Sequence, residues 1–270
     1  MITETMPEQV YHSRPELSST GARRLLESPA KFNYWRTHQE PPRAAFDLGT
    51  AVHTKVLGTG ATTIVYPDEH LTPSGNVSTK AATVAWELEQ RANGLIPISA
   101  ADERRVNGMT EAVLANEHAK QILEAIAGRE VTIISDVDGV ECRARFDLYD
   151  FVRAADLKTA RDASPGGFNR AVGQHGYHIQ ERFYEDTHRA ETGTGLESFH
   201  FIVVENTAPY LVGVYELDFM WDDIAAKKTK QARDLYRECT DTGVWPGYGT
   251  ASLTPPTWAV FESEEEEIRV

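Results

Sequence analysis

Residues 140–159 read VECRARFDLYDFVRAADLKT, and the reading of this stretch decides the fold. Two short runs that alternate apolar and polar residues, roughly Val140 to Leu148 and Phe151 to Thr159, flank a tight turn and predict a pair of strands. Side chains alternate faces along a strand, so Asp156 and Lys158 share a face about 7 Å apart. Pairing of the two segments brings Asp147 toward Asp156. Two carboxylates converging beside a lysine suit a hard divalent cation held next to a scissile phosphate. The charged residues stand at strand ends, which separates this D-x₈-D-x-K pattern from an ordinary surface salt bridge. Such a site uses Mg²⁺, or Mn²⁺ in its place, to lower the pKa of bound water and neutralise phosphate charge. Lys158 then orients the attacking water or stabilises the pentavalent transition state.

Working outward, Glu130 to Ser135 alternates like another strand, and Asp138-Gly139 is a hairpin turn signal. A three-stranded meander is thus predicted over roughly 130–159. Downstream, Ser164 caps a helix through Phe168 to Gln174, and Gly176 starts a longer one. Gln180 and Tyr184 are four apart on it and share a face. They either pack or reach toward the metal site and a nucleic-acid backbone. Phe199 to Glu205 and Tyr210 to Leu217 read as strands, and Asp218 caps an amphipathic helix to about Cys239. Gly243 to Pro256 reads as loop, with a last short strand at Trp258 to Phe261.

Upstream, residues 1–17 read as irregular. Ser18 or Ser19 caps a helix to about Glu27, and Phe32, Tyr34 and Trp35 form an aromatic cluster. Arg23, Arg24, Lys31 and Arg36 lie among them, so the segment is either core packing or a nucleic-acid contact face. After Pro41 and Pro42 a helix runs from Phe46 to Leu57 and ends at Gly58. His53 sits on it beside Gly49, Thr50 and Ala51, either as a packed residue or, because small neighbours allow close approach to a sheet, as a ligand. A strand at Thr62 to Tyr66 and a polar loop follow. Three helices, about Thr79 to Ala92, Ala100 to Asn116 (capped by Ser99) and Glu117 to Ala127, then form a helical insertion over 79–127. Arg143 and Arg145 alternate with Cys142, Ala144 and Phe146, which makes one face of that strand basic and a candidate DNA contact.

The 270 residues suit one large α/β domain, placed at 1–260, with an acidic tail at 261–270. Mean hydropathy of -0.42, no run of about 18 apolar residues and a polar start point to a protein without membrane span or signal peptide. Two cysteines, Cys142 and Cys239, are too few for a disulfide framework or an iron–sulfur cluster, and a reducing cytoplasm is the expected home. A net charge of -14, from 27 basic and 41 acidic residues, argues against nonspecific coating of nucleic acid. Glu262 and Glu264 to Glu267 contribute to it, as a solvated tail or as a DNA mimic. The sequence has no G-x-S-x-G elbow, P-loop, G-x-G-x-x-G after a strand, H-E-x-x-H or paired C-x-x-C.

Gly49-Thr50-Ala51-Val52-His53, Arg145-Phe146-Asp147, Asp156-Leu157-Lys158-Thr159 and Gln180-Glu181-Arg182-Phe183-Tyr184 follow in this order. Together they resemble the PD-(D/E)XK nuclease superfamily. The nearest branch is that of the RecE-type phage and prophage exodeoxyribonucleases, with RecB-like nuclease domains more distant. The resemblance extends from about Leu17 to Tyr215. It implies a restriction-endonuclease-like core, a central mixed β-sheet flanked by helices. It also implies His53, Asp147 and Asp156 as metal ligands with the backbone carbonyl of Leu157, and Lys158 as the catalytic lysine. Gln180 and Tyr184 match a Q-x-x-x-Y pattern that supports the site and the DNA strand. Glu130 is a looser match to an acidic residue that some relatives place near the metal. Enzymes of this branch resect linear duplex DNA from the 5′ end. They work as closed homo-oligomeric rings beside a single-strand annealing protein, in the bacterial host cytoplasm when phage-encoded. The four-cysteine cluster of some RecB-like relatives is absent, and the acidity is high for a processive DNA enzyme. An endonuclease or single-strand-specific nuclease of the same fold, or a non-catalytic DNA-binding protein on this scaffold, are the competing readings.

Overall fold

In the computed structural model, which describes residues 1–38, 44–60 and 62–256, the chain begins as part of the sheet rather than as a loop. β1 (Ile2–Thr3) pairs antiparallel with Ile133 and Thr132. α1 (Glu8–Ser13) follows, then β2 (Leu17–Ser18), which runs parallel to Cys142 and Arg143. This corrects the irregular reading of residues 1–17. Two-residue strands and a six-residue helix carry no periodicity, and the sheet edge supplies the order. Ser18 caps α2 (Ser19–Glu27) by accepting from the Gly21 N–H at 3.1 Å, and Ser28 caps α3 (Pro29–Thr37), where Pro29 fits the first turn.

α4 (Ala44–Leu57) ends at Gly58, whose φ of 72° is the left-handed conformation of a helix stop. β3 (Thr63–Val65) pairs in parallel with β4 (Ile96–Ile98), a strand the sequence reading missed, and α5 (Ala81–Ala92) lies between them in sequence. α6 (Ala100–Ala115) starts at the expected Ser99 cap, and α7 (Glu117–Ala125) follows.

The predicted meander is present as β5 (Gly128–Val137), β6 (Val140–Tyr149) and β7 (Arg153–Ala160). α8 (Pro165–His175) and α9 (Tyr177–Thr192) cross over to β8 (Ser198–Glu205), parallel to β7. β9 (Val212–Tyr215) and α10 (Phe219–Thr242) complete the described chain. β9 is shorter than expected at both ends, and before its start Tyr210 takes a left-handed φ of 59°. The sheet order is β1-β5-β6-β7-β8-β9, with β2 beside β6. The Trp258 to Phe261 strand, the Pro41-Pro42 break and the acidic tail lie outside the described residues.

Alternation along β8 explains the layering. Phe199, Phe201 and Val203 join Leu25, Phe168, Phe183 and Ala232 on one face, under α2, α8, α9 and α10. Ile202 and Val204 join Val52, Val106, Met109 and Leu123 on the other, under α4, α6 and α7. The helical block at 79–127 therefore supplies part of the layer over this face. Cys142 and Cys239 are both buried in the core. Among the described residues no helix is long and apolar enough to cross a membrane. β6 and β7 pair only at Leu148↔Ala155 and Tyr149↔Ala154, and β2 takes the place beside the start of β6. The sheet forks there.

Candidate active site

The fork is where the acidic residues gather. Asp147, at the end of β6, accepts the Leu157 N–H at 2.8 Å, so the diverging strands are tied through a side chain. α4 lies on the face beneath and brings His53 Nε2 to 3.0 Å from Asp147 Oδ1 and 3.2 Å from Glu130 Oε1. Glu130 comes from β5. The ladder pairs Arg129 with Leu148 and Val131 with Phe146, which leaves Glu130 across from Asp147. Glu130 has a φ of 53°, a left-handed conformation that costs a non-glycine residue about 1 kcal/mol or more. Like charges facing each other across a ladder repel. A strained acid set against another acid calls for a cation between them, and here the His53 imidazole occupies that position.

The electrostatics follow. Burial alone pushes the His53 pKa down, but the Asp147 charge and hydrogen bond, with Glu130 behind them, raise it to about 9. Burial works against ionised Asp147, yet His53, Lys158 and the Leu157 N–H hold its pKa below the usual value. Asp156 goes the other way. Burial and the neighbouring Asp147 charge raise it to about 6 despite Lys158. Burial opposes charge on Lys158, but Asp156 and Asp147 raise its pKa, so it stays an ammonium at neutral pH.

Asp156 and Lys158 share a face of β7 as predicted, and they form an ion pair. Gln180 on α9 bridges them: its Nε2 donates to Asp156 Oδ1 at 2.5 Å and its Oε1 accepts from Lys158 Nζ at 3.0 Å. No other amide orientation satisfies both, because ammonium only donates and carboxylate only accepts. Tyr184, one turn on, lies beneath with its ring 4.9 Å from Phe146, and burial raises its pKa well above the usual value. Tyr177, one turn before Gln180, faces the same cleft.

These residues line a cleft of about 670 Å³, with His53, Glu130, Asp147, Asp156, Leu157 and Lys158 on its floor. Arg23 lines it too, donating to the His175 carbonyl and, at 3.0 Å, to Thr20 Oγ1. Arg24 instead stacks on Trp35, 4.3 Å from the ring centroid. In the aromatic cluster Phe32 is buried against Trp35, Tyr236 and Trp245, while Tyr34 is exposed and stacked on His38.

The basic face of β6 has a different use from the one expected. Arg143 is only 5% exposed, and it donates to the carbonyls of Arg14 and Glu16 while lying over the Tyr11 ring. It is enclosed by the N-terminal segment and does not line the cleft, which corrects its reading as a DNA contact. Arg145 does line the cleft, but its guanidinium is engaged by the Glu130 carboxylate and the Met6 carbonyl. Both arginines thus pin down α1, whose Glu8, Tyr11 and His12 form one wall.

His53, Glu130 and Asp147 each offer a ligand atom, and the three atoms lie within 4.8 Å of one another. One imidazole nitrogen and two carboxylate oxygens form a donor set that fits a divalent cation. Asp156 and Leu157 stand beside this group without belonging to it. Sequence reasoning gave Glu130 only a loose place and passed over Tyr177. Both had signals: Asp138-Gly139 fixes the register that sets Glu130 against Asp147, and Tyr177, Gln180 and Tyr184 recur at helical spacing.

The profile of a family described as a PDDEXK-like domain of unknown function, DUF3799, matches residues 18–254. No curated protein matches the chain in sequence. Among solved structures, a candidate exonuclease from Eubacterium rectale superposes with a TM-score of 0.62 at 14% identity, covering 94% of each chain. That likeness shows a shared fold, the restriction-endonuclease-like α/β core. A phage-related exonuclease from Haemophilus somnus gives 0.32 at 11% identity, over 73% of this chain and 96% of its own. An alkaline exonuclease from Laribacter hongkongensis gives 0.26 at 14% identity, over 74% and 94%.

Proposed function

This chain belongs to the PDDEXK-like family DUF3799, and we propose that it is a divalent-metal-dependent deoxyribonuclease. The observation that carries the reading is the juxtaposition of His53, Glu130 and Asp147 with the Asp156–Lys158 pair in one cleft. In this reading His53, Glu130 and Asp147 hold Mg²⁺, or Mn²⁺ in its place, with Asp156 and the Leu157 carbonyl as further ligands. A divalent ion held there would supply an activated water and neutralise charge on the scissile phosphate. Without a bound ion, Lys158 is kept protonated by its carboxylate neighbours. Its part is to orient the water and stabilise charge on the phosphoryl oxygens as the P–O bond breaks. Gln180 holds that ammonium against Asp156, Tyr184 supports the floor, and Arg23 takes a neighbouring phosphate.

The finer reading is a 5′→3′ exonuclease that resects linear duplex DNA for phage-type recombination. It comprises residues 1–260 as one nuclease domain, acts as a homo-oligomeric ring, and hands its product to a single-strand annealing protein. The test is incubation with Mg²⁺ and linear duplex DNA carrying 5′ phosphates, beside a closed circle, with Lys158→Ala in parallel. Loss of the linear DNA alone, abolished by the substitution, is the expected result. Cutting of the circle moves the assignment to an endonuclease of the same fold. DNA bound but unchanged in both forms overturns the enzymatic reading.

A further inference from the structure

Lysine is a flexible point charge, and a catalytic ammonium acts only where it is held. Lys158 Nζ is held on three sides. The Asp156 carboxylate is one, Gln180 Oε1 at 3.0 Å is the second, and the face of Tyr177 is the third, with its ring centroid 4.8 Å away. We propose that Tyr177 is a positioning residue for Lys158, acting through the face of its ring, an inference that rests on the nuclease reading above. An ammonium over an aromatic face is drawn to the ring quadrupole, and the attraction strengthens where water is excluded. Lys158 is such a case, since only 18% of its side chain is exposed.

The ring is itself fixed. Tyr177 opens α9 directly after Gly176, whose φ of 68° turns the chain from α8 into α9. Its ring stacks on Phe168 (5.8 Å between centroids, 23° between planes) and packs against Phe201 at 6.1 Å. Both partners are buried core residues of α8 and β8. Tyr177 also sits three residues before Gln180, so one helical face presents both neutral groups that hold the ammonium. The three holds differ in kind. In the proposed reaction Asp156 also serves a cation, which weakens its pull on Lys158. The amide oxygen and the ring are not assigned to the cation. They keep Nζ in place when the carboxylate is drawn away.

The experiment compares kcat and KM on linear duplex DNA for the wild type, Tyr177→Phe and Tyr177→Leu, with melting temperatures recorded for each. Tyr177→Phe keeps the ring face and retains kcat within about twofold. Tyr177→Leu loses about tenfold in kcat, about 1.4 kcal/mol of transition-state stabilisation, with KM unchanged. If the leucine variant does not fold, Tyr177→Met, which fills more of the ring's space without a π face, takes its place with the same expected loss. A folded Leu or Met variant with wild-type kcat overturns the proposal. So does a Phe variant as slow as Leu, which assigns the role to the hydroxyl, or a change confined to KM, which assigns the ring to DNA contact. A wild type that cleaves no DNA overturns the nuclease reading and this inference together, a result distinct from the other three.

Discussion

Divalent-metal binding should release a proton from His53, and the size of the effect follows from the site. In the metal-free protein the imidazole sits between Asp147 and Glu130, with its pKa raised to about 9. A metal binds only the neutral imidazole. At pH 7 about one molecule in a hundred has that form, so apparent affinity should rise about tenfold per pH unit from 7 toward 9 and then level off. Below about pH 6 the Asp156 carboxyl, whose folded value is about 6, protonates as well and steepens the dependence where it serves as a ligand. The same proton affects stability. Because the folded pKa of His53 lies above its ordinary value of 6.5, its contribution is full below pH 6.5 and is lost as pH rises through about 9. That loss is at most about 3 kcal/mol in the metal-free protein. The assay is calorimetric titration with Mg²⁺ at pH 7.5 in two buffers of different ionisation enthalpy, which counts protons, repeated from pH 6.5 to 9. About one proton released per ion is expected. An affinity that stays flat from pH 7 to 9, with no proton released, refutes the view that the ion displaces a proton from His53.

Glu130→Gln keeps the shape of the side chain and removes its charge, so Mg²⁺ affinity should fall by at least about tenfold. Calorimetry on the folded variant checks this, and an unchanged affinity removes Glu130 from the ligand set. Arg143→Met should lower stability by about 2–4 kcal/mol, because it deprives the enclosed carbonyls of Arg14 and Glu16 of their donor. Its melting temperature should drop, and the N-terminal residues should exchange amide hydrogens faster than in the wild type.

What could be read from the sequence was whatever local periodicity or turn chemistry specifies. The β5–β6 hairpin follows from Asp138-Gly139, and the shared face of Asp156 and Lys158 follows from the two-residue period of a strand. β8 and α10 were legible for the same reason, and Ser18, Ser99 and Asp218 all proved to be caps. β1, β2 and β4 were not, since two or three residues give no pattern and their partners are far away in sequence. Arg143 shows the same limit at the level of a side chain. An arginine on an alternating strand reads as exposed until the segment that covers it is known. That segment, 6–16, falls in the stretch 1–17 that reads as irregular from sequence.

The covering of β6 bears on how an acidic protein meets DNA. Glu8, Glu130, Asp147 and Asp156 line the cleft, against Arg23, Arg145 and Lys158 as permanent cations. With His53 protonated these charges nearly balance, and phosphate gains little by entering. Under the proposed function, a divalent cation that replaces the His53 proton leaves the cleft net positive. Lys158 is paired with Asp156 and Arg145 with Glu130, so the charge that turns the balance comes from the ion. Three of the four carboxylates, Glu130, Asp147 and Asp156, are those the proposed function assigns to the ion. The overall acidity and a DNA substrate are then compatible, because phosphate is drawn to the metal-loaded cleft and ion binding and strand binding favour one another.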